Sequence, residues 1–351
     1  MIRPAALLVL ALLPAALAAA VRWNAVNNQD AAWYAGDEAR AIAASIVQYQ
    51  TKSGGWPKNT DMTQSPSAEF LADTRYDHRD ATIDNGATTT QLRFLARMLT
   101  ARADPGLRAA FERGFDYLLA AQYDNGGWPQ YFPLRPGYYT HITYNDNAIM
   151  NVVTLLRQAA DGAEPFAFVD EARRAKARAA CRKALDCVLR TQVKQDGKLT
   201  AWCAQHDEKT LAPAPARNFE PVSLSGSESV GLVRFLMSVD DPTPEIIAAV
   251  EGAVAWFQAV QIKGLRTEGF TGANGKRDRR TVADEKAPPI WARFYELDTN
   301  RPIYIGRDKV IRYDFNEIEQ ERRAGYSYLG DWPASLLARE YPRWRAKHKL
   351  P

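Results

Sequence analysis

The chain has 351 residues, is 46% hydrophobic and 25% charged, and carries a formal net charge of +4. This is the composition of an ordinary globular protein with enough chain for one large core or two domains. The weak net charge singles out no class of partner, and the chain contains no known nucleic-acid module, so nucleic acid is not expected as a partner.

In chain order, Met1 to Ala20 reads as a signal peptide: Arg3 gives a positive start, Ala5 to Leu17 an apolar run, and small alanines a cleavage site. The run is too short to favour a membrane span, which needs about 20 apolar residues. The expectation is a secreted or periplasmic protein whose residues 21–351 form a single catalytic domain, monomeric and free of the membrane. Apolar residues at helical spacing then predict helices over Asp37–Gln50, Thr89–Thr100, Gly106–Gln122, Asn147–Ala160, Phe168–Thr191, Ser225–Val239, Thr243–Gln261 and Pro333–Lys349. Strand-like alternation is scarce, so the expected class is all-α.

A motif repeats about every seventy residues. Gln50 precedes Gly54-Gly55-Trp56-Pro57, and Gln122 precedes Gly126-Gly127-Trp128-Pro129. Gln192 leads more loosely to Gly197 and Trp202, and Trp256-Phe257-Gln258 to Gly264 and Gly269. That length holds two helices and their loops, which predicts an α/α toroid of helical hairpins with long functional loops. The Gln and Trp residues are expected to lock helix ends. Cysteines 181, 187 and 203 are compatible with one disulfide and an odd thiol, or with three buried thiols.

The long polar loops hold the residues that can carry chemistry. Asp84-Asn85 and Asp146-Asn147 lie at loop-to-helix junctions. Each Asp taken singly reads as a helix cap. Taken together, at the same end of neighbouring hairpins, they offer oxygen donors to calcium. Arg217, Lys286, Arg293 and Arg307 form a second, cationic set. Any one of them reads as a surface salt bridge, but aromatic-flanked arginines in long loops suit a polyanionic carbohydrate. No Gly-rich phosphate loop, nucleophile elbow or metal-spaced histidine pair is present.

These segments resemble the pectate lyases of polysaccharide lyase family ten. The resemblance runs through Ser53-Gly54-Gly55-Trp56-Pro57-Lys58-Asn59, Thr82-Ile83-Asp84-Asn85-Gly86-Ala87-Thr88, Asp124-Asn125-Gly126-Gly127-Trp128-Pro129-Gln130 and Ile142-Thr143-Tyr144-Asn145-Asp146. It continues through Trp202-Cys203-Ala204-Gln205-His206-Asp207, Ala292-Arg293-Phe294-Tyr295-Glu296-Leu297 and Pro302-Ile303-Tyr304-Ile305-Gly306-Arg307-Asp308. It implies calcium-dependent β-elimination of polygalacturonate, with no organic cofactor. Asp84 and Asp146 would hold Ca2+ with Asn85 nearby, Arg293, Arg217 and Lys286 would bind uronate carboxylates, and Arg307 would be the base. An arginine base is chemically demanding because free guanidinium has a pKa above 12; burial beside other cations would favour the neutral form. Two rivals remain: a pectin-binding protein without catalysis, and a terpene-cyclase-like toroid, for which no Asp-rich motif is visible.

Overall fold

The structure is a computed structural model that describes residues 21–73 and 79–350. The signal-peptide expectation falls on residues outside that range.

The helices are α1 (Asp37–Tyr49), α2 (Ala68–Ala72), α3 (Thr89–Ala101), α4 (Pro105–Ala120), α5 (Ala148–Ala160), α6 (Glu171–Thr191), α7 (Glu228–Met237), α8 (Pro244–Ala259), α9 (Gln320–Gly325) and α10 (Tyr341–Lys347). Several begin where the sequence supplies a cap. Asp104 accepts from the Gly106 and Leu107 amides ahead of α4, and Asp170 and Thr243 do the same for α6 and α8. The predicted final helix is broken. A π-helical turn, Leu336–Glu340, precedes α10, where Pro342 has no N–H to donate to the regular ladder.

Consecutive helices pair as hairpins, α3 with α4, α5 with α6 and α7 with α8, and α1, α3, α5 and α7 pack side by side as one layer. The most central helix, α5, buries Ile149, Val152, Val153, Leu155 and Leu156.

The expected all-α toroid is not the fold. Among the described residues the chain also forms thirteen strands in six small sheets. Eleven of these strands have only two residues, such as β1 (Ile142–Thr143), β4 (Gln205–His206), β5 (Pro213–Ala214), β6 (Leu224–Ser225) and β10 (Phe294–Tyr295). They pair antiparallel in the order β1-β4-β5 and β10-β6. A two-residue strand is too short for period-2 alternation to register in a sequence. The one long ladder, β7 (Leu265–Thr271) with β8 (Arg277–Ala283), is a polar hairpin with no buried apolar face. The architecture is therefore helical hairpins whose connecting loops are tied together by short β ladders.

The repeat itself is real and has a physical basis. Three buried tryptophans donate their indole N–H to a helix carbonyl: Trp56 to Ile46, Trp128 to Leu118 and Trp202 to Val188, at 2.7–2.8 Å. Each preceding glutamine bridges two carbonyls, its own loop and the next outer helix. Gln50 reaches Gly54 and Ala110, Gln122 reaches Gly126 and Ala180, and Gln192 reaches Thr200 and Ala249. Gly126 is at φ +97, and a Cβ there would collide with the Lys183 carbonyl. The fourth tryptophan of the series is Trp291, which donates to Phe257. The β7–β8 hairpin separates it from its helix and hides it in the sequence. All three cysteines are free thiols.

Candidate active site

The same locks set the loops of the first two repeats in register. Thr82 N–H donates to the Trp56 carbonyl and Thr143 N–H to the Trp128 carbonyl, at 3.1 and 3.2 Å. Counting forward from these anchors, Asp84 corresponds to Asn145 and Asn85 to Asp146. Asn85 and Asp146 share one left-handed conformation, φ 51 and φ 50. Asn and Asp are the residues that tolerate it best after glycine. The Asp-Asn pairs are thus equivalent with a one-residue offset. The residues preceding α3 and α5 are Thr88 and Asn147, and neither helix has a side-chain cap. Asp84 and Asp146 therefore do not serve as caps.

Both turns open onto one cleft of about 440 Å³, whose lining includes Asp84, Asn85, Asn145, Asp146, Lys58, Gln130, Tyr138, Arg217 and Glu220. Asp84 is buried, and its Oδ2 accepts from Lys58 Nζ and from Gln130 Nε2, both at 2.6 Å. Lys58 and Gln130 each follow a Gly-Gly-Trp-Pro motif, so they are equivalent positions in successive repeats. Burial works against the Lys58 ammonium, but the Asp84 carboxylate outweighs it and leaves the lysine above its ordinary pKa.

Arg217 forms a two-point pair with Glu220, Nε to Oε2 at 2.9 Å and Nη2 to Oε1 at 2.5 Å, and lies over the Phe219 ring. The Glu220 hydrogen bond holds the guanidinium above its ordinary pKa. Arg293 is nearly buried. Burial opposes its charge, yet Glu228 at 2.9 Å, with Tyr326 and Asp146, raises its pKa. Its Nη2 lies 3.5 Å from Asp146 Oδ1, and Nη1 donates to Tyr326 OH at 2.9 Å. Tyr326 OH in turn donates to Glu220 Oε1 at 2.9 Å. One polar chain therefore runs from Glu228 through Arg293, Tyr326 and Glu220 to Arg217.

The remaining expected residues lie elsewhere. Arg307 is solvent-exposed, 3.2 Å from Glu321, and lies over the Phe219 ring, as Arg217 does. It has the expected cationic neighbour, Arg217, but not the expected burial, and its Glu321 hydrogen bond raises its pKa. Asp308 pairs with Arg312 at 2.6 Å and not with Arg307. Lys286 is exposed in the turn after β8 and does not line the cleft. Lys58, Gln130, Glu220, Glu228 and Tyr326 were missed as site residues. Lys58 and Gln130 had a signal, their shared place after Gly-Gly-Trp-Pro, and Glu220 had one in its place three residues after Arg217; Glu228 and Tyr326 are distant from Arg293 in sequence and had none.

The donors that Asp84, Asn85, Asn145 and Asp146 present are all oxygens, two of the four residues being carboxylates, which fits a hard divalent cation. A separate group, His141, Asp207 and Glu208, brings its ligand atoms within 4.8 Å of one another. The His141–Glu208 contact at 3.3 Å and the Asp207 turn with Lys209 and Thr210 already account for it.

Comparison with solved structures finds a family 10 polysaccharide lyase from Cellvibrio cellulosa at 33% identity and TM-score 0.77, covering 93% of this chain and 95% of that one. An alanine mutant of that lyase in complex with trigalacturonic acid matches equally well, at 33% identity and TM-score 0.77, over 92% and 95% of the two chains. No curated protein matches. Residues 50–337 match the family described as pectic acid lyase. Matched over most of its length, the chain belongs to the pectic acid lyase family.

Proposed function

We propose that this pectate lyase is calcium-dependent, acts on unesterified polygalacturonate and is exported as a monomer. The observation that carries the reading is the joint lining of one cleft by Asp84, Asn85, Asp146 and Arg217. A carbohydrate polyanion is what such a cleft suits, and the alanine mutant of the Cellvibrio lyase is in complex with trigalacturonic acid.

In the elimination, a base takes the proton from C5 of a galacturonate residue. The C5–H electrons form the C4–C5 double bond, the bond from C4 to the glycosidic oxygen breaks, and that oxygen takes a proton from solvent. Negative charge builds on the carboxylate beside C5, so cations placed there lower the barrier. Calcium, when bound by Asp84 and Asp146 with Asn85, supplies such charge. Arg293, against Asp146 and kept ionised by Glu228, holds a uronate carboxylate; the family resemblance assigns Arg217 and Lys286 to uronate carboxylates as well.

Two arginines compete for the base. The Tyr-Ile-Gly-Arg-Asp motif assigns Arg307. The cleft lining favours Arg217, because a base must come within hydrogen-bond reach of C5. Each is paired to a carboxylate, so each must leave that partner before it can accept a proton. Kinetics of Arg307→Lys and Arg217→Lys at saturating calcium decide between them. The base variant loses kcat by about 100- to 10,000-fold with binding intact, and the other mainly raises KM. Near-normal kcat in both would end the arginine-base mechanism. Amino-terminal sequencing of protein recovered outside the cytoplasm tests export, and an uncleaved intracellular chain would refute it.

A further inference from the structure

Among the described residues Lys58 is the one lysine lining the cleft, and it lies directly on a carboxylate assigned to the metal. Its side chain and that of Asp84 are 17% and 7% exposed, so this is not a solvated surface pair. Gln130, the equivalent residue of the next repeat, also donates to the same Oδ2 atom, while Oδ1 accepts from the Asn85 amide at 3.0 Å. Asp84 is thus already held in place by two neutral donors. What Lys58 adds is charge.

That charge acts with opposite sign on the two ligands of the cleft. Among the described residues the charged lining side chains are Lys58 and Arg217 against Asp84, Asp146 and Glu220; Arg293 beside Asp146 is matched by Glu228, so one net negative charge is left. A bound divalent cation turns this into one net positive charge, suited to a uronate. Without Lys58 the empty cleft would carry two net negative charges and the loaded cleft none. We propose that Lys58 sets the balance between the cleft's two ligands, weakening its hold on the divalent cation and giving the loaded cleft its net attraction for a uronate carboxylate. The inference rests on the calcium reading above. It makes Lys58 a specificity-determining residue and leaves proton transfer to the arginines.

The experiment pairs calcium titration calorimetry on the substrate-free full chain with steady-state kinetics on polygalacturonate at saturating calcium. The variants are Lys58→Gln, which keeps a donor for Asp84 and removes the charge, Lys58→Met and Lys58→Arg. Lys58→Gln should bind calcium more tightly, on the order of tenfold, and raise KM by a comparable factor, since charges a few ångströms apart interact strongly in a partly desolvated site. Lys58→Met should move both quantities the same way, and Lys58→Arg should recover most of both. Thermal unfolding confirms that the variants are folded. Weaker or unchanged calcium binding in a folded Lys58→Gln protein would overturn the proposal and reduce Lys58 to a prop for Asp84. Tighter calcium binding with unchanged KM would overturn its substrate half. Absence of calcium binding in the unmodified protein would instead sink the calcium reading and this inference with it.

Discussion

The histidine at position 206 predicts how the fold responds to acid. His206 is fully buried; its Nδ1 donates to the Leu211 carbonyl at 2.9 Å, and its Nε2 accepts from the Cys203 amide at 3.2 Å. The ring is therefore neutral, and protonating Nε2 would set two donors against each other. Burial, the largest cause, lowers its pKa from 6.5 to about 4. The unfolded chain therefore binds a proton more readily than the folded one between those values, and stability falls as pH drops through that window. Linkage between the two values gives a loss of about 2 kcal/mol from pH 7 to pH 5. Carboxylates such as Glu220, whose pKa is lowered, also add acid sensitivity, which sets in as pH falls through the ordinary carboxylate value and below it. The assay is urea unfolding at pH 7, 6 and 5 for the parent and for His206→Gln. The variant's overall stability is not the readout; its slope against pH is. An unchanged slope would refute a neutral, buried His206.

Glu228→Gln keeps the shape of the Glu228 side chain and leaves Arg293 with Asp146, at 3.5 Å, as its carboxylate contact among the described residues. It should lose about 3 kcal/mol of stability by denaturant unfolding and weaken polygalacturonate binding, because one partner of a buried pair is left uncompensated. Gln122→Ala strips donors from the Gly126 and Ala180 carbonyls; a loss of about 2 kcal/mol is expected by the same assay, whereas a loss near zero would mean that water replaces the lock. Highly esterified pectin should be cleaved more slowly than polygalacturonate, since an ester removes the charge that Arg293 engages; faster cleavage of the ester would contradict carboxylate recognition.

The repeat was legible because its work is local. Trp128 bonds back to Leu118 and Gln122 forward to its own loop at Gly126, and that local geometry demands the same residues each time. The helix pattern was legible for the same reason. The strands were not, because pairs such as Ile142–His206 and Phe294–Ser225 are made by two-residue segments distant in sequence. At the site, Asp84, Asn85, Asp146 and Arg217 were identifiable from motifs and do share a cleft. Lys286, with less distinctive neighbours, and Arg307, within the Tyr-Ile-Gly-Arg-Asp segment, lie outside its lining, because motif identity says nothing of where a long loop folds back. Glu228 and Tyr326 meet Arg293 across 65 and 33 residues, and no local pattern announces such contacts.

The most direct test follows ultraviolet absorbance of the unsaturated product as the purified protein acts on polygalacturonate, with chelator, with calcium restored, and with Asp146→Ala. The account predicts rising absorbance that stops on chelation, returns with calcium, and is absent in a folded Asp146→Ala variant. New reducing ends without ultraviolet absorbance, or full activity after thorough chelation, would contradict it.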